Sequence, residues 1–127
     1  MTTEGKHFKS LVLLHIFFCE NSHQANVNVI KMIYEDDKSL VFRDINPVAP
    51  THLLIIPKKQ IKKISDAQKE DQDLLGHLFL VAGEVARQLG IQDAFRLVVN
   101  NGAGAQQTVF HLHIHLIAER EFSWPPG

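Results

Sequence analysis

The sequence predicts one domain that combines a long helix with five β-strands. A chain of 127 residues is close to the common size of a single domain and can bury a real core. Between residues 74 and 89, apolar side chains recur at steps of three and four, which is the period of a helix. Elsewhere, short apolar runs are bounded by Pro, Gly, Asn or charged residues, as strands usually are. With 45% apolar and 21% charged residues, the composition excludes a wholly disordered chain.

The N-terminal part contains the longest apolar run, over residues 11–19. This run of nine residues is too short to cross a membrane, which takes about 20 residues. Because Lys6 and Lys9 precede it, a secretory signal over residues 1–22 is an alternative. His15 and the lack of a small-residue cleavage site favour a buried first element instead. We therefore divide the chain into a divergent N-terminal segment, residues 1–28, and a domain, residues 29–127.

The first three predicted strands follow in order. Residues 29–34 and 40–44 flank a charged turn and are predicted to form a hairpin. Pro47 and Pro50 then bracket a loop that no strand could continue through. Residues 52–56, His-Leu-Leu-Ile-Ile, are apolar enough for a strand that is buried on both faces, and Pro57 is expected to end it.

The predicted helix has a start signal, an apolar stripe and a stop signal. Ser65 and Gln68 match a capping box, so the helix is expected to begin after Ser65. Gly90 stands where a left-handed C-terminal cap is expected. His77 is interpreted as an ordinary helix-face histidine, away from other titratable groups. The stripe between these signals consists of Leu74, Leu75, Leu78, Val81, Ala82, Val85 and Leu89.

Two further strands are predicted at residues 95–99 and 109–117, with a loop of Asn, Gly and Ala between them. Thirteen basic and fourteen acidic residues give a net charge of −1, which predicts neither nucleic-acid nor membrane partners. Cys19 is the single cysteine, so an intramolecular disulfide or a multi-cysteine zinc site is excluded. This composition fits a cytoplasmic protein, with the nucleus as a further location. The lysines at 58, 59, 62 and 63 are interpreted as a solvated turn.

Histidine is the unusual residue of this chain, and three of its eight histidines lie in the last predicted strand. Side chains alternate along a strand, so His111, His113 and His115 are expected to share one face. A metal site is one interpretation, but alternate strand residues stand about 6.6 Å apart and no neighbouring acid completes a ligand shell. The other is a nucleophilic imidazole whose neighbours manage protons and charge. The polar loop before the strand, which can wrap a phosphate, favours the second.

Residues 111–117, His-Leu-His-Ile-His-Leu-Ile, resemble the signature of the histidine triad (HIT) superfamily. The resemblance extends over about residues 30–127 and includes residues 42–47, 49–59, 74–78 and 98–102. The terminal Trp-Pro-Pro-Gly at 124–127 is similar to the histidine triad nucleotide-binding branch. The family implies an α+β fold: a five-stranded antiparallel sheet with a long helix, joined to a second subunit's sheet in a homodimer. It also implies hydrolysis of adenosine and guanosine phosphoramidates and of aminoacyl adenylates to AMP or GMP, without a metal or other cofactor.

The resemblance assigns a role to each site residue. His113 would attack phosphorus and form a nucleotidyl-histidine, and His115 would contact phosphate and help to protonate the leaving amine. His111 and His52 would orient the site, and Trp124 would lie near the partner's leaving-group side. The remaining assignments concern the nucleotide: Thr108 at the leaving group, Asn100 and the amides of Gln107 and Thr108 at phosphate oxygens, Asp44 at the ribose, and Phe42 and Ile45 at the base.

The sequence departs from the family pattern beside the triad. The family has Gly-Gln-Ser before the triad strand where this chain has Gln106, Gln107 and Thr108, so Gln106 is expected to narrow the leaving-group channel. After the triad the family has Gly-Gly-Arg where residues 118–120 read Ala-Glu-Arg. The first position of a Cys-x-x-Cys zinc pair is Ile16, which argues against a structural zinc. The alternative function is therefore a nucleotide-binding interaction protein with weak or vestigial catalysis.

Overall fold

A five-stranded antiparallel sheet forms the centre of the computed structural model, which describes residues 31–127. The strands lie in the order β1-β2-β3-β5-β4, and each neighbouring pair is antiparallel. This arrangement, with one long helix, confirms the expected α+β fold. The predictions for residues 1–30, including the apolar run at 11–19 and the comparison at Ile16 and Cys19, lie outside the described residues. The strands are β1 (Met32–Glu35), β2 (Ser39–Arg43), β3 (Thr51–Pro57), β4 (Phe95–Val98) and β5 (Ile114–Ala118).

The central strand β3 is buried along its whole length, as its apolar sequence predicted. It pairs with β2 on one side and with β5 on the other, so neither edge meets solvent. Pro57 is its last residue and ends the strand as expected. Opposite residues share a sheet face, and the register places Leu54 opposite His115 and His52 opposite Ile117. His52 and His115 therefore point to the same face of the sheet.

The helix α1 (Gln72–Gln88) covers the other face of the sheet. Leu78, Val81, Ala82 and Val85 of the predicted stripe are fully buried there, and Leu74, Leu75 and Leu89 at its ends are half-buried. Because the helix packs against one face of the sheet, the candidate site lies on the other face, which carries the histidines. The buried core under the helix comprises Val41, Leu53, Ile55, Leu78, Val81, Ala82, Val85, Ala86, Ile91, Ile114, Leu116 and Ala118.

The start of the helix was predicted too early. Ser65 lies in a separate 3₁₀ turn, Ile64–Asp66, and a second 3₁₀ turn, Lys69–Asp71, leads into α1. The Ser65 N–H donates to Asn101 Oδ1 at 2.9 Å. Ser65 therefore binds the loop after β4 and does not cap the helix. The capping box is formed instead by Gln68 and Asp71, one turn after Ser65. In it, the Gln68 N–H donates to Asp71 Oδ2 at 2.8 Å.

Backbone with a positive φ marks several turns within residues 31–127. Gly90, with a φ of 72°, ends the helix as predicted, and its N–H donates to the Arg87 carbonyl at 3.1 Å. Gln106 and Glu119 are not glycine, yet each has a φ of 68°. These are positions where the histidine triad pattern places glycine, because a Cβ in this region costs about 1–2 kcal/mol. Both departures from the pattern thus keep a glycine-like backbone.

The last strand is shorter than predicted at its beginning. β5 starts at Ile114, so His111 and His113 lie in an irregular segment that leads into the strand. The Leu112 N–H in this segment donates to the Ile61 carbonyl at 2.7 Å, outside the sheet ladder. That bond replaces strand pairing and fixes the backbone between the two histidines.

In residues 31–127, no helix has the length and apolarity needed to cross a membrane.

His77 is not isolated, contrary to the interpretation from sequence. Its Nε2 lies 2.7 Å from the Asp36 carboxylate in the turn between β1 and β2. The same carboxylate accepts hydrogen bonds from the Lys38 N–H, from the Ser39 N–H and hydroxyl, and from the Tyr34 hydroxyl. Burial alone would raise the pKa of Asp36, but these hydrogen bonds lower it to about 2. This cluster ties the helix to the hairpin.

Asp36 is therefore expected to make the fold sensitive to acid. Its pKa in the folded chain, about 2, is below the ordinary 3.8, so its contribution is complete above about pH 4 and is lost as pH falls towards 2. For this half-buried group the loss should be on the order of 1–2 kcal/mol. Asp36→Asn should lower the free energy of unfolding at pH 7 and flatten its decline between pH 5 and pH 2.

Urea unfolding at a series of pH values measures this effect. The matched control is Asp73→Asn, which removes an exposed carboxylate from the first turn of α1. The control should keep the acid-dependent decline of the wild type. An Asp36→Asn protein whose stability depends on pH as steeply as the wild type would show that this cluster is not the acid-sensitive element.

Candidate active site

Four histidines converge on the sheet face opposite the helix. His52 lies in β3, His115 lies in β5, and His111 and His113 lie in the segment just before β5. The ring centroids of His113 and His115 are 5.0 Å apart, and those of His52 and His115 are 5.1 Å apart. The structure thus brings together the triad and the more distant histidine that the resemblance assigned to the same site.

His111 anchors the segment that carries the triad. Its Nε2 lies 2.7 Å from the Pro57 carbonyl at the end of β3, and the side chain is buried. A carbonyl only accepts, so the His111 Nε2 carries the proton. Burial lowers the pKa of His111, although the Pro57 carbonyl opposes this shift. A neutral, tethered ring agrees with the orienting role that was expected of His111.

The geometry of His113 leaves a lone pair on its Nε2. The Nδ1 lies 2.7 Å from the backbone carbonyl of His111, so Nδ1 donates the hydrogen bond and carries the proton. Burial lowers the pKa of His113, while the His111 carbonyl and the charge of Asp44 oppose the shift. The ring is therefore neutral at pH 7 and its Nε2 has nucleophilic character.

His115 is held neutral next to His52. Its Nδ1 lies 2.9 Å from the His52 Nε2, and one of these two nitrogens must donate. Burial lowers the pKa of His115 to about 4, and the neighbouring His113 and His52 add to the shift. Burial also lowers the pKa of His52, although the Asp44 charge opposes it. In the resting site, His115 is a hydrogen-bond donor and not a cation.

Two contacts of His52 were not foreseen from the sequence. The Val48 N–H donates to His52 Nδ1 at 3.2 Å, and Asp44 Oδ2 lies 3.5 Å from His52 Nε2. Asp44 also accepts a hydrogen bond from the Asn46 N–H at 2.8 Å, so its orientation is fixed. Backbone amides leave no composition signal, which is why Val48 could not be found by sequence reasoning.

A metal could be considered at Asp44, His52 and His115, since one ligand atom from each lies within 4.8 Å of the others. The expectation that no acid lies near the histidines is therefore wrong, because the register brings Asp44 beside His52. The His52 Nε2 cannot bind a metal while it carries a proton, and the Val48 N–H on Nδ1 requires that proton. This set of residues does not fit a metal in the tautomer that the Val48 contact implies.

The loop before the triad is braced by Gln107. The side chain of Gln107 is buried, its Nε2 donates to the carbonyls of Lys62 and Val109, and its Oε1 accepts from the Gly102 N–H. The Gln107 backbone N–H donates to the Gly102 carbonyl at 3.1 Å. In this conformation, neither group is available to phosphate, which differs from the role expected of the Gln107 amide. Thr108, in contrast, is exposed at the same loop.

The other residues that were expected to contact the nucleotide differ in their exposure. Asp44 is 19% exposed, Ile45 is exposed, and Asn100 is half-buried just after β4. Phe42 is fully buried in β2, so a base could reach it only after a neighbouring group moves. Gln106 is exposed in the loop next to Gln107 and Thr108. Trp124 in the C-terminal tail is 81% exposed.

Comparison with known proteins identifies the relatives of this chain. The HIT domain family matches residues 25–122. An uncharacterised HIT-like protein of Synechocystis sp. is 60% identical over 96 residues, which are 76% of this chain and 84% of that protein. The structure of a HIT family hydrolase from Legionella pneumophila is 44% identical, with a TM-score of 0.75, over 77% of this chain and 88% of that one.

A more distant relative is named as a nucleotide-binding protein. A histidine triad nucleotide-binding protein from Candida albicans is 28% identical, with a TM-score of 0.64, over 77% of this chain and 76% of that one. The family match covers the strands, the helix and all four site histidines. The chain is therefore a member of the HIT domain family, as its triad motif predicted.

Proposed function

We propose that this protein is a purine nucleoside phosphoramidase, which cleaves the P–N bond of adenosine or guanosine phosphoramidates and of aminoacyl adenylates. The observation that carries the proposal is the 2.7 Å contact between His113 Nδ1 and the His111 carbonyl, which places the ring proton on Nδ1. This leaves Nε2 as the nucleophilic nitrogen, as the attack on phosphorus requires. The hydrolase and nucleotide-binding relatives add support from the family.

The reaction proceeds in two displacements at phosphorus. In the first, His113 Nε2 forms a bond to phosphorus, the P–N bond of the substrate breaks, and the leaving amine gains a proton. In the second, a water oxygen attacks phosphorus, the bond to His113 breaks, and the water gives up a proton. The products are a nucleoside monophosphate and an amine, and His113 returns to its starting state. No metal takes part in these steps.

His115 is proposed to serve the leaving-group side. Its Nδ1 faces His52, so its Nε2 is the nitrogen that can donate towards phosphate or the amine. Amines leave poorly unless protonated, and a positioned acid contributes roughly 10²–10⁴-fold. Thr108 is exposed in the loop before the triad, next to the exposed Gln106, and is proposed to contact the leaving group.

The nucleotide is proposed to lie along the end of β2. The Asp44 carboxylate can accept from two ribose hydroxyls, and the exposed Ile45 offers an apolar surface to a purine. Asn100 and the Thr108 N–H are proposed to bind the phosphate oxygens.

The cytoplasmic location of this protein stays a prediction from its composition.

A nucleotide-binding interaction protein with weak turnover is the alternative. Gln106 is the feature that favours it, because a side chain on left-handed backbone at the phosphate loop replaces the glycine of the family. Steady-state turnover of adenosine phosphoramidate separates the two functions: binding of AMP without turnover supports the alternative.

A homodimer is proposed to complete the molecule. The strand β4 lies at an end of the sheet, so one of its edges has no partner strand within residues 31–127. The apolar stripe of α1 is buried in the core and cannot serve a partner, whereas Phe79 and Leu80 are exposed on the same helix. Pairing of two β4 edges would give a ten-stranded sheet and protect both edges. Trp124 is proposed to reach the partner's leaving-group side.

Substitution of the two central histidines should separate their roles. His113→Ala should lower turnover at least about 10³-fold and form no covalent adduct, because the attacking nitrogen is gone. His115→Ala should still bind AMP, and it should lose more activity with an amine leaving group than with one that departs unprotonated. Mass spectrometry of wild-type protein quenched during turnover should find a nucleotide mass on His113.

The control for these variants is His77→Ala, which removes a histidine from α1, away from the triad. It should keep a rate near that of the wild type. A covalent adduct on another histidine, or near wild-type turnover by His113→Ala, would refute the assigned nucleophile.

Removal of metals should not change this enzyme. In the set formed by Asp44, His52 and His115, the His52 Nε2 carries a proton while the Val48 N–H donates to Nδ1, so chelation should leave turnover and the unfolding transition unchanged. Metal analysis of purified protein with activity before and after dialysis against a chelator provides the test. Stoichiometric zinc whose removal abolishes turnover would contradict the metal-free mechanism.

The dimer predicts a measurable mass. Sedimentation at micromolar concentration should give a species of twice the 14.4 kDa chain mass. Leu80→Glu should shift the equilibrium towards monomer because it places a charge on the apolar helix surface. Lys69→Glu, a charge change at an exposed position before α1, is the control and should remain dimeric. A wild-type protein found only at 14.4 kDa would refute the dimer.

A further inference from the structure

A backbone amide sets the tautomer of two site histidines. The Val48 N–H donates to His52 Nδ1 at 3.2 Å, and a backbone N–H cannot accept a proton in return. The Nδ1 of His52 is therefore bare, and the neutral ring carries its proton on Nε2. That proton points to His115 Nδ1 at 2.9 Å, so the neutral His115 carries its own proton on Nε2.

The two rings form a chain along which one proton can move. If His115 gives its Nε2 proton away and stays neutral, its Nδ1 must take the proton on His52 Nε2. His52 must then take a proton from water at its Nδ1. One proton enters at His52 Nδ1, and one leaves at His115 Nε2. The entry point is the nitrogen that Val48 now occupies.

We propose that the Val48 N–H caps a two-histidine proton relay from His52 to His115, and that the relay can deliver a proton only when the loop at Val48 withdraws. Val48 is 58% exposed in the loop bracketed by Pro47 and Pro50, so its withdrawal opens His52 Nδ1 to water. Use of the relay in leaving-group protonation rests on the proposed function. The tautomers of His52 and His115 and the contact of the Val48 N–H do not depend on the proposed function.

The charged and titratable surroundings fit such a relay. The Asp44 carboxylate from the end of β2 lies 3.5 Å from His52 Nε2 and favours an extra proton on the rings. The ring of His113, with its centroid 5.0 Å from that of His115, is the other titratable neighbour and is neutral. Burial of both relay rings opposes a lasting charge, so a proton should pass through and not stay.

The experiment reads the tautomers directly. Nitrogen-15 NMR of the full chain at pH 7, without ligand, should show His52 and His115 with protonated Nε2 and bare Nδ1. A through-hydrogen-bond coupling should connect the Val48 nitrogen to His52 Nδ1. Val48→Pro removes the donor, and Val48→Ala keeps it as the matched control. In Val48→Pro, a population of His52 should move its proton to Nδ1, and the apparent pKa of His52 should rise by about one unit.

The outcomes distinguish the cap from the enzymatic proposal. Wild-type His52 with its proton on Nδ1 would overturn the cap, even if the proline variant does not fold. An unchanged His52 tautomer and pKa in folded Val48→Pro would also overturn it. The expected tautomers in a protein without phosphoramidate turnover would support the cap and refute the proposed function. In an active enzyme, Val48→Pro should change turnover more for amine leaving groups than for leaving groups that need no proton, and Val48→Ala, which keeps the donor, should keep the wild-type ratio of these two rates.

Discussion

Three buried imidazoles and the half-buried ring of His115 must remain neutral and hydrogen-bonded, and the local structure around the site follows from that requirement. Burial lowers the pKa of all four, so each ring offers one donor and one acceptor. Backbone groups supply the fixed partners: the carbonyls of Pro57 and His111 and the N–H of Val48. Side-chain partners could titrate or rotate, whereas these backbone groups cannot change their role. The tautomer of each ring is thereby tied to the path of the chain.

The division of the sheet into two faces separates stability from chemistry. The helix and its apolar partners cover one face, and the histidines share the other with buried apolar neighbours. The burial that lowers the histidine pKa values thus comes from the same packing that stabilises the sheet. The Asp36 cluster lies at the hairpin and the helix and belongs to the fold, not to the site. A variant can therefore affect acid stability without touching the triad.

The loops around the triad show how a family pattern can change in sequence and persist in geometry. The side chain and the backbone N–H of Gln107 are both engaged in hydrogen bonds that brace the loop before the triad. Gln106 and Glu119 adopt the backbone that the family's glycines provide. The strain of a left-handed side chain is tolerated where loop packing determines the path. We expect Gln106 to affect the leaving group more than the nucleophile.

The sequence by itself determined the helix stripe, the buried central strand, the left-handed end at Gly90 and the family. These features are local or periodic, so a few neighbouring residues suffice to specify them. It misplaced the helix start, since Ser65 bonds to Asn101, a contact across 36 residues. Similarly, only the tertiary structure decided that Asp36 meets His77, that Asp44 lies beside His52, and that Val48 bonds to His52. Such contacts depend on strand register and on backbone groups that every residue carries, so no residue type in the sequence indicates them.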